Sequence, residues 1–187
     1  MKILVTANLD SAVRSKYLYL DNDFLSELFR DKDVFSKVLE ALDHNPIIID
    51  PLTKFEFLRS IYLPSQLAIS TEFVETETIF SPAPLNQEIF SNLQINALLL
   101  SKIYAQQNSG KGSSIVDLFL AARVMAQHNN YLLITGNKKD FPDCVFDVFG
   151  IISIRQKDES YQAYYIIGFN KGKFDNCLKS LQKLPSE

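Results

Sequence analysis

Four acidic residues follow or begin predicted elements in a pattern that suits a divalent cation. Asp21 ends the apolar run 17–20, and Glu56 lies early in a predicted helix after a second apolar run. Asp117 begins a further predicted helix, and Asp140 follows a third apolar run. Two carboxylates about 5 Å apart repel by about 3 kcal/mol at an effective dielectric constant of about 20. A cluster of such groups therefore favours a bound cation, and oxygen ligands alone favour Mg²⁺ or Mn²⁺.

Each of these acids also has a purely structural interpretation. Glu56 and Asp117 each stand three residues after a hydroxyl side chain, which is the spacing of a helix capping box. Asp21 and Asp140 suit turns. Taken singly, the structural interpretation is the simpler one for each acid. Four acids that map to one edge of a sheet are harder to explain in this way.

Short apolar segments alternate with helical patterns along most of the chain. Strands are predicted over 17–20, 47–49, 72–80 and 131–135, and helices over 24–29, 34–42, 53–62, 85–107 and 115–127. Such alternation predicts an α/β fold of three layers, α/β/α, with a central, mostly parallel sheet. Because the carboxyl ends of parallel strands share one edge, the acids that follow these strands are expected to lie at that edge.

The end of the chain has a different pattern. Strands over 145–154 and 161–169 predict a C-terminal β-hairpin, and a helix over 174–184 follows it. We interpret residues 1–187 as a single domain with a core at about 17–149, an N-terminal extension at 1–16 and a C-terminal appendage at 150–187. The extension and the appendage are expected to pair with each other, to cover a sheet edge or to form a dimer contact.

Composition excludes several classes of protein. The chain has 187 residues, a net charge of −3, 47% hydrophobic residues and only two cysteines, which excludes a disordered chain, a histone-like basic protein and a disulfide framework. No apolar run approaches the roughly 20 residues that span a bilayer. Asn8 and Asp10 interrupt the apolar start before a signal-like segment develops. The sequence therefore predicts a soluble, cytoplasmic protein with no membrane partner.

Five segments together resemble the PIN-domain nuclease family, which includes the VapC-type toxins of bacterial toxin–antitoxin pairs. These segments are 19–25, 52–58, 79–85, 114–122 and 132–141. The family pattern is a strand that ends in Asp, a helical Glu, a helical Asp before small residues, and a strand that leads to Thr-x-Asn-x-x-Asp-Phe. The chain contains these elements in that order, and the resemblance covers about 17–149. It departs at Asp23, where the family usually has Asn, and we interpret Asp23 as a helix cap.

The resemblance implies a Mg²⁺- or Mn²⁺-dependent endoribonuclease that hydrolyses RNA with a metal-activated water. It also implies RNA as the substrate, an antitoxin protein as a candidate partner and a homodimer as the expected assembly. The implied metal ligands and catalytic acids are Asp21, Glu56, Asp117 and Asp140, with Thr135 and Asn137 as supporting polar groups.

Positive side chains near these acids are the candidates for phosphate contacts, because RNA binding requires positive charge beside the site. They are Lys138, Lys139, Lys54, Arg59 and Lys111. For any one of them, a solvated surface position is the simpler interpretation.

Two other functions stay open at this point. Asp21 and Asp23 after a strand are similar to the Asp-x-Asp motif of haloacid-dehalogenase-like phosphatases, although no downstream Asp pair completes that pattern. A PIN-like module that binds RNA or protein without catalysis is the second alternative, and the intact set of acids weighs against it.

Overall fold

The computed structural model describes residues 5–42, 45–76, 79–106 and 113–182 of the chain. The strands in these ranges are β1 (Val5–Leu9), β2 (Tyr17–Leu20), β3 (Ile47–Ile49), β4 (Phe80–Pro82), β5 (Tyr131–Thr135), β6 (Phe146–Arg155) and β7 (Tyr161–Phe169). The helices are α1 (Asn22–Arg30), α2 (Lys32–Leu42), α3 (Pro51–Arg59), α4 (Pro64–Val74), α5 (Gln87–Gln106), α6 (Ile115–Ala126) and α7 (Lys171–Gln182). None of these helices combines the length and the apolar character needed to cross a bilayer.

Most predicted elements are confirmed, and one is wrong. β2, β3, β5 and β7 have the predicted bounds, and most helices differ from prediction by only a few residues. The strand predicted over 72–80 is wrong, because α4 continues to Val74 and β4 begins only at Phe80. Pro64 stands in the first turn of α4, where its missing N–H removes no helical hydrogen bond.

All seven strands in the described ranges form one mixed sheet, in the order β1-β6-β7-β5-β2-β3-β4. β5, β2, β3 and β4 run parallel to one another. β7 pairs antiparallel with β5, β6 with β7, and β1 with β6. The predicted α/β class is confirmed, but a mostly parallel sheet is not, because three of the six strand pairings are antiparallel. The hairpin β6–β7 extends the same sheet instead of standing apart from it, and the N-terminal extension pairs with that hairpin.

Successive side chains of β2 belong to two different hydrophobic clusters. Leu18 and Leu20 belong to the cluster that contains Phe24 of α1. Tyr19 belongs to the other cluster, which contains Leu120 of α6. Because neighbouring side chains of a strand point to opposite faces, β2 is held from both sides. This packing fixes the end of β2, where Asp21 follows.

Candidate functional site

Asp21 follows β2 directly and is the N-cap of α1. Its backbone N–H donates to Ile134 of β5 (3.0 Å), so the residue belongs to the junction of two parallel strands. Its side chain accepts hydrogen bonds from the Asn22 N–H and the Thr135 hydroxyl, each at 2.7 Å. The residue is only 6% exposed. Burial, followed by the negative charge of Asp23, raises the pKa of Asp21 to about 7.

Asp23 lies in the first turn of α1 and connects that helix to the loop after β5. One carboxylate oxygen accepts from the Phe24 N–H (2.6 Å) and the other from the Gly136 N–H (2.9 Å). A Cβ at residue 136 would lie 2.6 Å from the second oxygen, so this close approach requires glycine. The interpretation of Asp23 as the helix cap is wrong, because Asp21 holds the N-cap position. Burial raises the pKa of Asp23.

Asp117 forms a capping box with Ser114 at the start of α6, as its spacing predicted. The Ser114 N–H donates to a carboxylate oxygen of Asp117 (2.9 Å), and the Asp117 N–H donates to the Ser114 hydroxyl (3.1 Å). Asp117 is 9% exposed. Although Asp117 caps α6, its carboxylate still acts electrostatically on the neighbouring acids.

The charge of Asp117 reaches the other acids of the set. At each of them burial is the largest cause of a raised pKa, and repulsion by Asp117 raises the pKa further. The affected residues are Asp21, Asp23, Glu56 and Asp140. Acids from α1, α3, α6 and the loop after β5 therefore share one electrostatic environment.

Glu56 is not part of a capping box. The N-cap of α3 is Asp50, whose side chain accepts from the Leu52 N–H at 2.8 Å. Thr53, the predicted capping partner of Glu56, is buried, and its hydroxyl has no hydrogen bond within the described part of the chain. Glu56 forms an ion pair with Arg59 (3.5 Å), which lies on the same helix. Its carboxylate is thus not needed to begin the helix.

Asp140 belongs to a short hydrogen-bonded loop after β5. The Asn137 side-chain amide donates to the Asp140 carboxylate. The Asn137 backbone N–H donates to the Thr135 hydroxyl (2.9 Å), which itself donates to Asp21. The two predicted supporting residues therefore link Asp140 to Asp21. Burial and Asp117 raise the pKa of Asp140, while Lys139 lowers it.

Two of the five candidate phosphate-binding residues have acidic partners away from the acids above. Lys54 pairs with Glu75 at 2.7 Å. Lys138 pairs with Asp143 at 2.5 Å and also donates to a backbone carbonyl oxygen. Their charges are therefore partly neutralised within the chain.

The other three candidates differ in position. Lys139 is exposed beside Asp140, whose pKa it lowers, and Arg59 lies beside Glu56. Lys111 lies outside the described residues. Lys139 and Arg59 each lower the pKa of a neighbouring acid, Asp140 and Glu56 respectively, so their charges act on this set.

A buried ion pair next to these residues was missed from the sequence. The Arg123 Nε of α6 donates to Asp50 (2.8 Å), and its Nη1 donates to the Pro84 carbonyl oxygen (2.8 Å). The two side chains are 6% and 4% exposed. The available signal was a single cation among the apolar residues 118–126 of the predicted helix, together with an acid that follows the strand over 47–49.

The acids share an environment but do not form a preformed cage. Across residues 5–42, 45–76, 79–106 and 113–182, no three acidic, histidine or cysteine side chains are grouped closely enough to hold an ion as they stand. The set is nonetheless all carboxylate, which is the donor chemistry of a hard cation such as Mg²⁺ or Mn²⁺. No protein-family model matches the chain, and a search of curated proteins found no match either.

Proposed function

We propose that this chain is a metal-dependent endoribonuclease of the PIN-like type. It hydrolyses RNA phosphodiester bonds at the acids that follow β2 and β5 and begin α6, and uses Mg²⁺ or Mn²⁺. The proposal includes the three-layer PIN-like core over about 17–149, a cytoplasmic location and a homodimer. A role as the toxin of a toxin–antitoxin pair is its narrowest form.

One observation supports this proposal above the others, namely the convergence of acids that are far apart in the sequence. Four elements contribute these acids, which are Asp21, Glu56, Asp117 and Asp140. Burial is the largest cause of the raised pKa of the other three, and the charge of Asp117 raises it further. A fold gains nothing from placing like charges together, because each pair repels. A divalent cation converts that repulsion into attraction.

The donor set fits such a cation. Asp21, Asp117 and Asp140 are the residues that would hold it, and Glu56 would complete the set from α3. A bound Mg²⁺ or Mn²⁺ supplies a water of lowered pKa and neutralises charge on the phosphate oxygens. Because the described acids are not grouped into a cage, the proposal requires the ion or the RNA to draw them together.

The remaining residues have roles that follow from their hydrogen bonds. Thr135 orients the Asp21 carboxylate, and Asn137 holds Asp140 against the same hydroxyl. Lys139 and Arg59, which lie beside Asp140 and Glu56, are the candidates to contact an RNA phosphate next to the scissile one. Each such contact lowers the dissociation constant of RNA without acting on the reacting atoms.

The test combines metal binding with RNA cleavage. Mn²⁺ is titrated by calorimetry into the wild type and into the Asp21→Asn, Asp117→Asn double variant at pH 8. The cleavage of a mixed RNA pool is then measured with Mg²⁺ and with chelator. We expect Mn²⁺ binding to disappear in the double variant and cleavage to fall by about 10³-fold or more. Asp33→Asn, an exposed acid of α2, is the matched control and is expected to retain both.

Cleavage that persists in the double variant or in chelator would contradict the nuclease mechanism. Wild type that binds Mn²⁺ but cleaves no RNA in the pool would favour the non-catalytic binding module. Circular dichroism of each variant separates loss of the site from loss of the fold.

A further inference from the structure

A cavity of about 340 Å³ lies at the end of the sheet opposite the acids. His128 precedes β5, Phe149 lies near the start of β6, and Phe169 ends β7. Lys16 and Lys171 also line the cavity. Since β6 and β7 lie side by side between β5 and β1, residues distant in the sequence converge there. The volume lies at the small end of the range for ligand sites, about 300–1,000 Å³.

The backbone before Lys16 is in an unusual conformation. Ser15 has φ 63°, and the other non-glycine residue with positive φ among those described is in the hairpin turn between β6 and β7. The Asn45 side-chain amide holds this turn by donating to the carbonyl oxygens of Val13 (2.7 Å) and Lys16 (2.8 Å). The Lys16 ammonium donates to the Asn129 carbonyl oxygen, also at the cavity. Strain of this kind is retained where the surrounding structure fixes it, and here it fixes Lys16 at the cavity.

The cavity is positively charged overall. Asp147, the acid among the described residues that line it, is bonded to the Lys173 ammonium (2.6 Å) and to the Asn170 amide (2.6 Å). These contacts lower the pKa of Asp147, which keeps it ionised and paired. The charges of Lys16 and Lys171 are therefore not balanced by this carboxylate. Two lysines that line one concave site suit an anion with several oxygens, such as a phosphate monoester.

The walls between these lysines are aromatic. The His128 and Phe169 rings pack edge to face with centroids 5.8 Å apart, and Phe149 lies on the same cavity. Gly168 allows this arrangement, because a Cβ there would lie 2.6 Å from a Leu132 methyl group and 2.8 Å from the Phe149 ring. Aromatic side chains beside lysines suit a ligand that joins an aromatic ring to a phosphate.

We propose that this cavity is a binding site for a nucleoside monophosphate. The phosphate is bound by Lys16 and Lys171, and the base packs against Phe149 and the His128–Phe169 pair. The site shares no residue with the acids described above, so it neither depends on the nuclease proposal nor competes with it. The lysines and the aromatic side chains fit an aromatic phosphate monoester, and a cavity of about 340 Å³ is large enough for part or all of such a ligand.

The test uses calorimetric titration of the full chain with adenosine, guanosine, cytidine and uridine 5′-monophosphates. The unphosphorylated nucleosides and inorganic phosphate are titrated in parallel. We expect saturable binding of at least one monophosphate, at least tenfold weaker binding of its nucleoside and of phosphate alone, and at least tenfold weaker binding in Lys16→Met and in Lys171→Met. Lys179→Met, an exposed lysine on the same helix as Lys171, is the matched control and should bind as the wild type does.

Gly168→Ala gives an independent variant that removes no charge. Its methyl group must displace Leu132 or Phe149, and we expect at least fivefold weaker binding with an unchanged circular dichroism spectrum. Binding of no monophosphate at millimolar concentration would overturn the proposal. So would equal binding by the Lys16→Met, Lys171→Met double variant, or phosphate that binds as tightly as the nucleotide.

Discussion

Asp21 and Asp50 are buried aspartates that each follow a parallel strand and cap the next helix, but their electrostatic surroundings are opposite. Asp50 accepts from the Leu52 N–H and from Arg123, each at 2.8 Å. Asp21 accepts from the Asn22 N–H and from the neutral Thr135 hydroxyl, and its charged neighbours are acids. The same local structure thus supports a completed ion pair at β3 and an uncompensated carboxylate at β2. An uncompensated buried carboxylate is costly for stability, which is why we relate Asp21 to a ligand and Asp50 to the fold.

The largest expected effect is the loss of the partner of Asp50. Arg123→Met should lower the free energy of unfolding by about 3–5 kcal/mol, because it leaves a buried carboxylate without its cation. Urea unfolding at pH 7 measures this change. Arg59→Met removes an exposed partner of Glu56 and should cost less than about 1 kcal/mol. Equal effects of the two substitutions would show that the buried pair of Arg123 and Asp50 stabilises the fold no more than the exposed pair of Arg59 and Glu56 does.

Removal of the Asp21 charge, in contrast, is expected to raise the free energy of unfolding. The pKa of Asp21 in the folded state, about 7, is above the ordinary aspartate value of 3.8, so the folded state binds more protons between these pH values and the stability of the protein falls as pH rises through them. Asp21→Asn removes that penalty and keeps a good N-cap, so it should raise the free energy of unfolding at pH 8 by about 2–4 kcal/mol. At pH 4 the two proteins should differ little. Urea unfolding at both pH values, without divalent cations, decides this, and a destabilised variant at pH 8 would show that Asp21 serves the fold instead.

The smallest expected effect is the loss of the Thr135 hydroxyl, which donates a hydrogen bond to Asp21. Thr135→Val removes the hydroxyl that donates to Asp21 and accepts from the Asn137 N–H. We expect a loss of about 1 kcal/mol in the free energy of unfolding and a rise in the pKa of Asp21, because that hydrogen bond favours the ionised form. Carboxyl chemical shifts followed by NMR from pH 5 to 9 measure the pKa. Ser36→Ala, which removes an exposed hydroxyl on α2, is the control and should leave that pKa unchanged.

Local patterns predicted the elements well, and long-range pairing was what they could not predict. The strands β2 and β5 could be predicted because short apolar runs end at polar residues. The position of Asp117 at the start of a helix could be predicted because a capping box lies within four residues. The partner of Asp50 could not be predicted, since Arg123 is separated from it by 73 residues. Likewise, the sequence left open whether the C-terminal appendage pairs with the N-terminal extension, covers a sheet edge or forms a dimer contact, and the structure pairs β1 with β6 and β7 with β5. α4 was missed because Leu67 and Ile69 are exposed and Ser70 is buried, which obscures a helical apolar face.

The strand order also has a consequence for the time at which the molecule can fold. β1 pairs with β6, so residues near one end of the chain have no partner until residues 146–155 have been synthesised. β5 is flanked by β2 on one side and by β7 on the other. Pairings between such distant segments are slow to form, because the intervening chain must first be closed into a loop. During translation the edges of the early strands therefore remain unpaired. A chaperone that shields these edges is expected to increase the yield of folded protein.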